Sequence, residues 1–172
     1  LAEGYTGGGF DEFVLIQNPG ATAGTAAVKF LKEGGEVIDR SYQLLPYSRF
    51  TIKVDDVPGC DSTSVSVQVD GGATPLMVER ARYFDQEYRD GGHCSIGAQS
   101  PSTTWYFAEG YTAASFDSYI LLENPDPVLV AHVNLALVPP GIGPTNYSLT
   151  VPPRSRVTVH ADEIEGFEGI EF

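Results

Sequence analysis

One stretch of this sequence occurs twice. Positions 1–6 and 107–112 share the string Ala-Glu-Gly-Tyr-Thr after an apolar residue, and the match continues at constant spacing to an Asn-Pro pair at 18–19 and 124–125. Ten of these nineteen aligned positions are identical. A chain that repeats itself over a domain-sized interval is expected to fold as related units, and such duplication is typical of scaffolds, stalks and adhesive arrays.

The interval between the copies is about 106 residues, so the 172 residues hold one full copy and part of a second. We therefore predict a first domain at 1–103 and a second, truncated domain at 104–172. The counterparts of the strands predicted at 64–69 and 75–84 are absent from the second copy. A sheet without them has open edges, which further chain or strands of a neighbouring copy could close by β-augmentation.

Short apolar segments separated by glycine and proline predict strands throughout both copies. No long segment keeps the 3.6-residue apolar period of a helix. About seven short strands per unit predict an all-β fold, an antiparallel β-sandwich that is loosely immunoglobulin-like, with a small closed barrel as the alternative. We also expect a polar, glycine-rich loop at 85–93 and a short connecting strand at 104–107.

The charge and the two cysteines narrow the class of protein. A net charge of −13 argues against nucleic acid, because a phosphate backbone would be repelled. No apolar run approaches the roughly 18 residues of a membrane helix, so we expect no membrane insertion within this segment. Cys60 and Cys94 predict an intrarepeat disulfide, and the alternative is two free thiols.

Positions 91–98 and 101–112, together with Val-Glu-Arg-Ala at 78–81, carry a family resemblance. They resemble the tandem β-rich repeats of large secreted or surface-attached bacterial proteins, whose function is mostly unassigned. The resemblance covers essentially the whole chain. It implies an extracellular or cell-surface, non-catalytic repeat module, and it transfers no active site.

The residues capable of chemistry form no recognisable catalytic or metal-binding motif. His93, His132 and His160 are not repeated between the copies, and the spacing indicates neither a zinc site nor a hydrolase. We therefore expect no enzyme activity and no cofactor. Weak candidates for Ca²⁺ are the carboxylates of two equivalent acidic turns, with solvated turns as the alternative. These carboxylates are Asp55, Asp56, Asp61, Asp162 and Glu163.

Four aromatic residues near the start of each copy, Tyr5, Trp105, Tyr106 and Tyr111, are expected to seal a domain junction or to stack on glycans. Asn146 begins a formal glycosylation sequon, which we place in a loop. The sequence favours a structural or adhesive module, with other copies of itself as partners and a fibre built by strand exchange. The alternative is a carbohydrate-binding module that contacts surface glycans.

Overall fold

The computed structural model describes residues 1–87 and 89–172, and these residues form antiparallel strands without any α-helix. The strands are β1 (Phe10–Asn18), β2 (Gly24–Lys32), β3 (Val37–Leu44), β4 (Ser48–Lys53), β5 (Val65–Asp70), β6 (Met77–Gln86), β7 (Arg89–Ile96), β8 (Tyr119–Asn124), β9 (Ala131–Leu137), β10 (Thr145–Val151) and β11 (Ser155–His160). Single 3₁₀ turns follow β4 and β11. The prediction of an all-β, antiparallel fold is confirmed. None of the described residues forms a helix long and apolar enough to cross a bilayer.

The chain divides into two units, and the first, Leu1–Gln99, has two sheets. One sheet has the strand order β4-β1-β6-β7 and the other has the order β3-β2-β5. Inward-facing side chains of both sheets are almost fully buried in one shared core. They include Val14, Ile16, Val28, Phe30, Ile52 and Val67. The two sheets of this unit therefore face each other, in the arrangement of a β-sandwich.

The second unit, Ser100–Phe172, has two sheets of two strands, with the orders β11-β8 and β10-β9. The register of β8 on β11 matches that of β1 on β4, since Asn18 lies opposite Ser48 and Asn124 lies opposite Ser155. Within the described part of this unit, no strand takes the place of β6 beside β8 or of β5 beside β9. One edge of β8 and one edge of β9 are therefore open.

The core of the second unit is only partly covered. Val14 and Ile16 of β1 are completely buried, whereas Ile120 and Leu122 at the same positions of β8 are half-buried. Large apolar side chains such as Phe116 are mostly exposed. In the first unit β6 lies beside β1, whereas no described strand lies at the same place beside β8. Exposed apolar edges of this kind favour association.

The loop predicted at 85–93 is wrong, because its described residues belong mostly to β6 and β7, with Tyr88 outside the described residues. Gly91 and Gly92 favoured a loop in the sequence, but they lie opposite Phe84 and Tyr83 in the ladder with β6. A Cβ atom on either glycine would lie 2.7 Å from the facing aromatic ring. These glycines therefore let the two rings cover the strand, a role that depends on the partner strand.

The connecting strand predicted at 104–107 is also wrong, since these residues pair with no strand. Ser102 instead organises the segment locally. Its hydroxyl accepts a hydrogen bond from the Thr104 N–H at 3.2 Å, and its carbonyl accepts one from the Trp105 indole N–H at 3.1 Å. Local bonds of serine side chains compete with strand pairing in this way.

The predicted disulfide between Cys60 and Cys94 is wrong, and both cysteines are free. Cys60 is completely buried in the core with Val57 and Val65, at the position that the buried Phe167 occupies in the second unit. Cys94 is exposed on the edge strand β7. The Cα atoms of a disulfide lie within about 7 Å of each other, and a thiol enclosed between the sheets cannot meet an exposed one without opening the unit.

The two thiols are expected to differ sharply in reactivity. Burial raises the pKa of the Cys60 thiol to about 11, so little thiolate forms at neutral pH. At pH 7.5, a chromogenic disulfide reagent should titrate one thiol in the native chain, that of Cys94, and a second only in denaturant. Cys94→Ser should remove the native reaction. If no thiol reacted before reduction, even in denaturant, the two cysteines would form the disulfide and the assignment of free thiols would be wrong.

Candidate strand-binding edge of the second unit

The Gly-Tyr-Thr part of the repeated motif holds the segment before β1 onto the residues before β5. The Thr6 hydroxyl donates to the Cys60 carbonyl at 2.5 Å and accepts from the Thr63 N–H at 3.1 Å. In the second unit the Thr112 hydroxyl bonds to Phe167 and Ile170 in the same way. The threonine is buried in both units, so its recurrence has an architectural reason.

The Asn-Pro part of the motif closes the turns that follow β1 and β8. The buried Asn18 amide donates to the carbonyls of Thr22 and Leu45, and its oxygen accepts the Gly20 N–H. Asn124 likewise donates to the carbonyls of Leu129, Val151 and Pro152. An aspartate could accept at this position but could not donate, which explains why asparagine occupies it in both units.

The glutamate of the motif binds two arginines of β6 in the first unit. The Glu3 carboxylate accepts from Arg80 at 2.5 Å and from Arg82 at 2.6 Å. Arg80 is completely buried and also donates to the Ser95 hydroxyl on β7. The Arg82 guanidinium lies 4.4 Å from the centre of the Phe10 ring. Glu3 thus joins the N-terminal segment to the two strands beyond β1 through charge-assisted hydrogen bonds.

A second carboxyl group, that of Glu12 on β1, is completely buried beside this network. One of its oxygens accepts the Tyr5 N–H at 2.8 Å, and the other has no hydrogen-bond partner in the described part of the chain. Burial raises the pKa of Glu12 to about 7, while Arg80 and Arg82 act in the opposite direction. A buried carboxyl group prefers the protonated state because ionisation in the core costs hydration.

This pKa predicts how stability depends on pH. Because Glu12 has a higher pKa in the folded state than its ordinary 4.5, the folded chain binds more protons between pH 4.5 and 7, and stability falls as the pH rises through that interval. The loss should amount to about 3 kcal/mol between pH 4.5 and 8. Urea unfolding across this range measures it. Glu12→Gln should flatten this part of the profile, and an unchanged slope in the variant would contradict the assignment.

The same place in the second unit has the glutamate, but no described arginine side chain binds it. Glu109 is exposed, and within the described part of the chain its carboxylate has no hydrogen-bond or ion-pair partner. It borders an open concavity of about 530 Å³. The lining residues are Glu109, Gly110, Tyr111, Phe116, Asp117, Ser118 and Glu171. We call this concavity, together with the open edge of β8, the acceptor edge.

The apolar side of the acceptor edge also matches the first unit. Phe116 packs edge-on against Tyr111 at 5.4 Å, as Phe10 packs against Tyr5 at 5.5 Å. In the first unit, Arg82 of β6 lies over the Phe10 ring, whereas Phe116 is mostly exposed. The acceptor edge therefore offers an unpaired strand, a carboxylate and an aromatic face, which together can bind an extended strand carrying arginine.

One aspartate in each of the two acidic turns proposed for Ca²⁺ accepts a backbone hydrogen bond. The Asp55 carboxylate accepts the Glu12 N–H at 3.0 Å, and Asp162 accepts the Ser118 N–H at the same distance. Asp56 and Asp61 are exposed. Calcium binding by these turns, including Glu163, stays a prediction. These hydrogen bonds give Asp55 and Asp162 a structural role, because they anchor the start of β1 and the start of β8.

Of the remaining predicted residues, Tyr111 lines the acceptor edge. Trp105 and Tyr106 are exposed, the latter by 92%. Tyr5 is half-buried within the first unit. Asn146 lies in β10 rather than in a loop, where its side-chain oxygen accepts a hydrogen bond from Asn134. Its glycosylation stays a prediction, as does the role of the aromatic residues at a junction or on a glycan.

The arginines that bind Glu3 were missed as functional partners at the level of sequence. Arg80 lies about 77 positions from Glu3, and nothing in the local pattern links the two. The available signal was the recurrence of this glutamate as Glu109 at the same place of the motif, since a repeated carboxylate calls for a contact in each copy.

Comparison with known proteins supports the fold and nothing finer. No family model and no curated protein matches the chain. A crystal structure described as that of Thermotoga maritima 1070 is similar with a TM-score of 0.53 and 16% sequence identity. The similarity covers 58% of this chain and 90% of that one. At this level of identity the match shows a shared fold alone, so this chain contains an all-β unit of a kind found in a solved bacterial structure.

Proposed function

We propose that this chain is a non-catalytic structural repeat module that assembles by accepting a β-strand along the acceptor edge. The observation that carries the proposal is Glu109. It holds the same place in the repeated motif as Glu3, whose carboxylate is bound by Arg80 and Arg82 of β6. We infer that the two units are copies of one immunoglobulin-like design, and that the second binds an equivalent strand at the place that β6 occupies in the first.

The occupant we propose is a strand like β6, supplied by a neighbouring copy of the repeat. Arg80 and Arg82 lie two positions apart, so both project from one face of an extended strand. In the second unit that face would meet Glu109, and the arginine guanidinium would cover Phe116. In a chain with net charge −13, this pair also supplies attraction where copies would otherwise repel each other.

Strand addition of this kind builds linear assemblies. Each copy would offer an acceptor edge in its second unit and a donor strand in its first, and a head-to-tail contact that does not close on itself produces a filament. Because β6 is an interior strand of its own sheet, native copies should exchange strands slowly. The extracellular, surface-exposed and adhesive setting is part of the proposal, and its support is the family resemblance of the repeat.

A synthetic peptide with the sequence of positions 75–87 tests the acceptor edge. We expect it to bind the chain and to protect the β8 amides from hydrogen exchange, because main-chain pairing is the basis of β-augmentation. Isothermal titration would measure the affinity. Analytical ultracentrifugation after refolding at high concentration should show oligomers, and a monomer under these conditions, together with a peptide that does not bind, would defeat the proposal.

Two matched controls separate the arginine contact from nonspecific pairing. A peptide in which both arginines are replaced by alanine should bind at least 10-fold more weakly, a loss of about 1.4 kcal/mol. In the chain, Glu109→Gln should weaken the natural peptide by a similar factor and leave the alanine peptide unaffected. Equal affinities for the two peptides would show that Glu109 does not select the strand.

Carbohydrate binding is the second candidate, and the exposure of Trp105 and Tyr106 favours it. Exposed aromatic rings stack on sugar faces, and these two are adjacent in sequence. A glycan array probed with the chain, and with Trp105→Ala and Tyr106→Ala variants, tests this function. Binding that survives both substitutions would remove the aromatic residues from the explanation.

A further inference from the structure

The end of β11 in the second unit carries a cluster of metal-ligating groups, of which Asp117 alone also lines the acceptor edge. The His160 ring stacks on Tyr119 with its centre 4.4 Å away and an interplanar angle of 14°. Its Nε2 atom lies 3.2 Å from Asp162 Oδ2 and 3.5 Å from Asp117 Oδ1. Its Nδ1 atom lies 3.3 Å from Glu163 Oε1. Both ring nitrogens therefore face carboxylates.

The first unit shows which residue fills this position in the other copy of the repeat. There the aligned residue is Lys53, whose ammonium lies 2.7 Å from Asp11 and has Asp55 and Asp56 as its other acidic neighbours. Asp11 raises the pKa of Lys53 through their hydrogen bond. A lysine carries its positive charge throughout the physiological range, whereas an imidazole is charged only when protonated. The second unit keeps the three carboxylates and replaces the permanent cation by His160.

The distances suit a shared cation. Ligand atoms about 2.1 Å from a tetrahedral Zn²⁺ lie about 3.4 Å from one another, close to the two separations measured from His160 Nε2. The donor atoms of Asp117, His160 and Asp162 all lie within 4.8 Å of one another. The Nε2 atom is itself buried and makes no hydrogen bond in the described part of the chain.

Neighbouring groups hold these donor atoms in place in the way that is usual at metal sites. A histidine that binds a metal through one nitrogen usually donates its other N–H to a carboxylate, which fixes the ring and its tautomer. Glu163 lies in that place, on the Nδ1 side of His160. The Asp162 carboxylate is held by the Ser118 N–H at 3.0 Å. Stacking on Tyr119 fixes the plane of the ring.

We propose that Asp117, His160 and Asp162 bind one divalent transition-metal ion, for which Zn²⁺ has the best-matched geometry, with Glu163 orienting the histidine. Imidazole with carboxylates favours zinc over calcium, which takes oxygen ligands alone. The fourth position of the ion is left for water or an added ligand. The ion would tie the start of β8 to the turn after β11, as the Lys53–Asp11 ion pair ties the same places in the first unit.

Titration of the untagged full-length chain with ZnCl₂ at pH 7.4, in a Cys94→Ser background, tests the site. We expect one equivalent of zinc to bind, and the ring resonances of His160 to shift in an NMR spectrum. His160→Lys recreates the arrangement of the first unit, so it should fold and lose this binding by at least 50-fold. His160→Gln serves as a second variant if the lysine variant does not fold.

A gain of function in the first unit provides the matched control. Lys53→His places an imidazole among Asp11, Asp55 and Asp56, and we expect this variant to bind a second equivalent of zinc, more weakly than the first. Zinc that binds the His160→Lys chain with unchanged stoichiometry would assign the ion to His93, His132 or another group and overturn the proposal. So would a wild-type chain that binds no zinc at 100 µM.

Discussion

Replacing Glu3 by glutamine is expected to lower the free energy of unfolding of the first unit by about 3 kcal/mol. The substitution keeps the size of the side chain but removes the charge that compensates Arg80, which is completely buried, and Arg82. A buried charge left without its partner costs several kcal/mol, since hydration no longer compensates it. This loss would be a large fraction of the stability of a small domain.

The chain contains its own control for this substitution. Glu109→Gln changes the same position of the motif in the second unit, where the carboxylate is exposed and has no partner in the described residues. It should alter stability by less than about 0.5 kcal/mol. Reaction of the buried Cys60 thiol in urea, in a Cys94→Ser background, reports the opening of the first unit. Equal effects of the two substitutions would show that Glu3 gains nothing from its arginines.

Gly4→Ala is expected to destabilise the first unit by about 3 kcal/mol or more. A Cβ atom at this position would lie 2.0 Å from the Val65 carbonyl oxygen and 2.7 Å from the Glu12 carboxylate. The backbone cannot withdraw without breaking the hydrogen bond from the Val65 N–H to the Gly4 carbonyl. The same Cys60 reaction measures the loss, and an unaltered urea midpoint would contradict the close contact.

Gly110→Ala gives a graded comparison at the equivalent position. Here the added Cβ atom would lie 2.3 Å from the ring of Phe172, a side chain that can rotate. The expected loss is therefore smaller, about 1 kcal/mol. Hydrogen exchange of the β8 and β11 amides reports on the second unit. A loss as large as that of Gly4→Ala would show that the ring is as constrained as the backbone of β5.

The fold class could be predicted because strands and turns leave local signals. Alternating apolar residues in β2 and β4 place Val28, Phe30 and Ile52 in the core, as a period of two requires. The strand β7 was not predictable in this way, since Gly91 and Gly92 carry no apolar pattern. Their place depends on the rings of Phe84 and Tyr83 in the neighbouring strand.

The two cysteines show a similar limit of what the sequence can predict. Their number and spacing allow a disulfide, and only the packing decides against it, because Cys60 fills a core position and Cys94 lies on an edge strand. For His160 the sequence indicates less than the structure shows. Its spacing from other residues suggests no metal site, yet β8 and the turn after β11 bring Asp117 and Asp162 to the same nitrogen atom.

By itself the sequence determined the strands of the core, the acidic character of the chain, and the repeated residues Glu, Gly, Thr and Asn-Pro, because these depend on composition, periodicity and alignment. The tertiary structure decided what the repeated residues contact. Glu3 and Glu109 are identical in sequence, but only Glu3 has arginines within reach, since β6 lies beside β1 and no described strand lies in that place beside β8. Contacts between distant segments arise from strand pairing, which a local pattern does not encode.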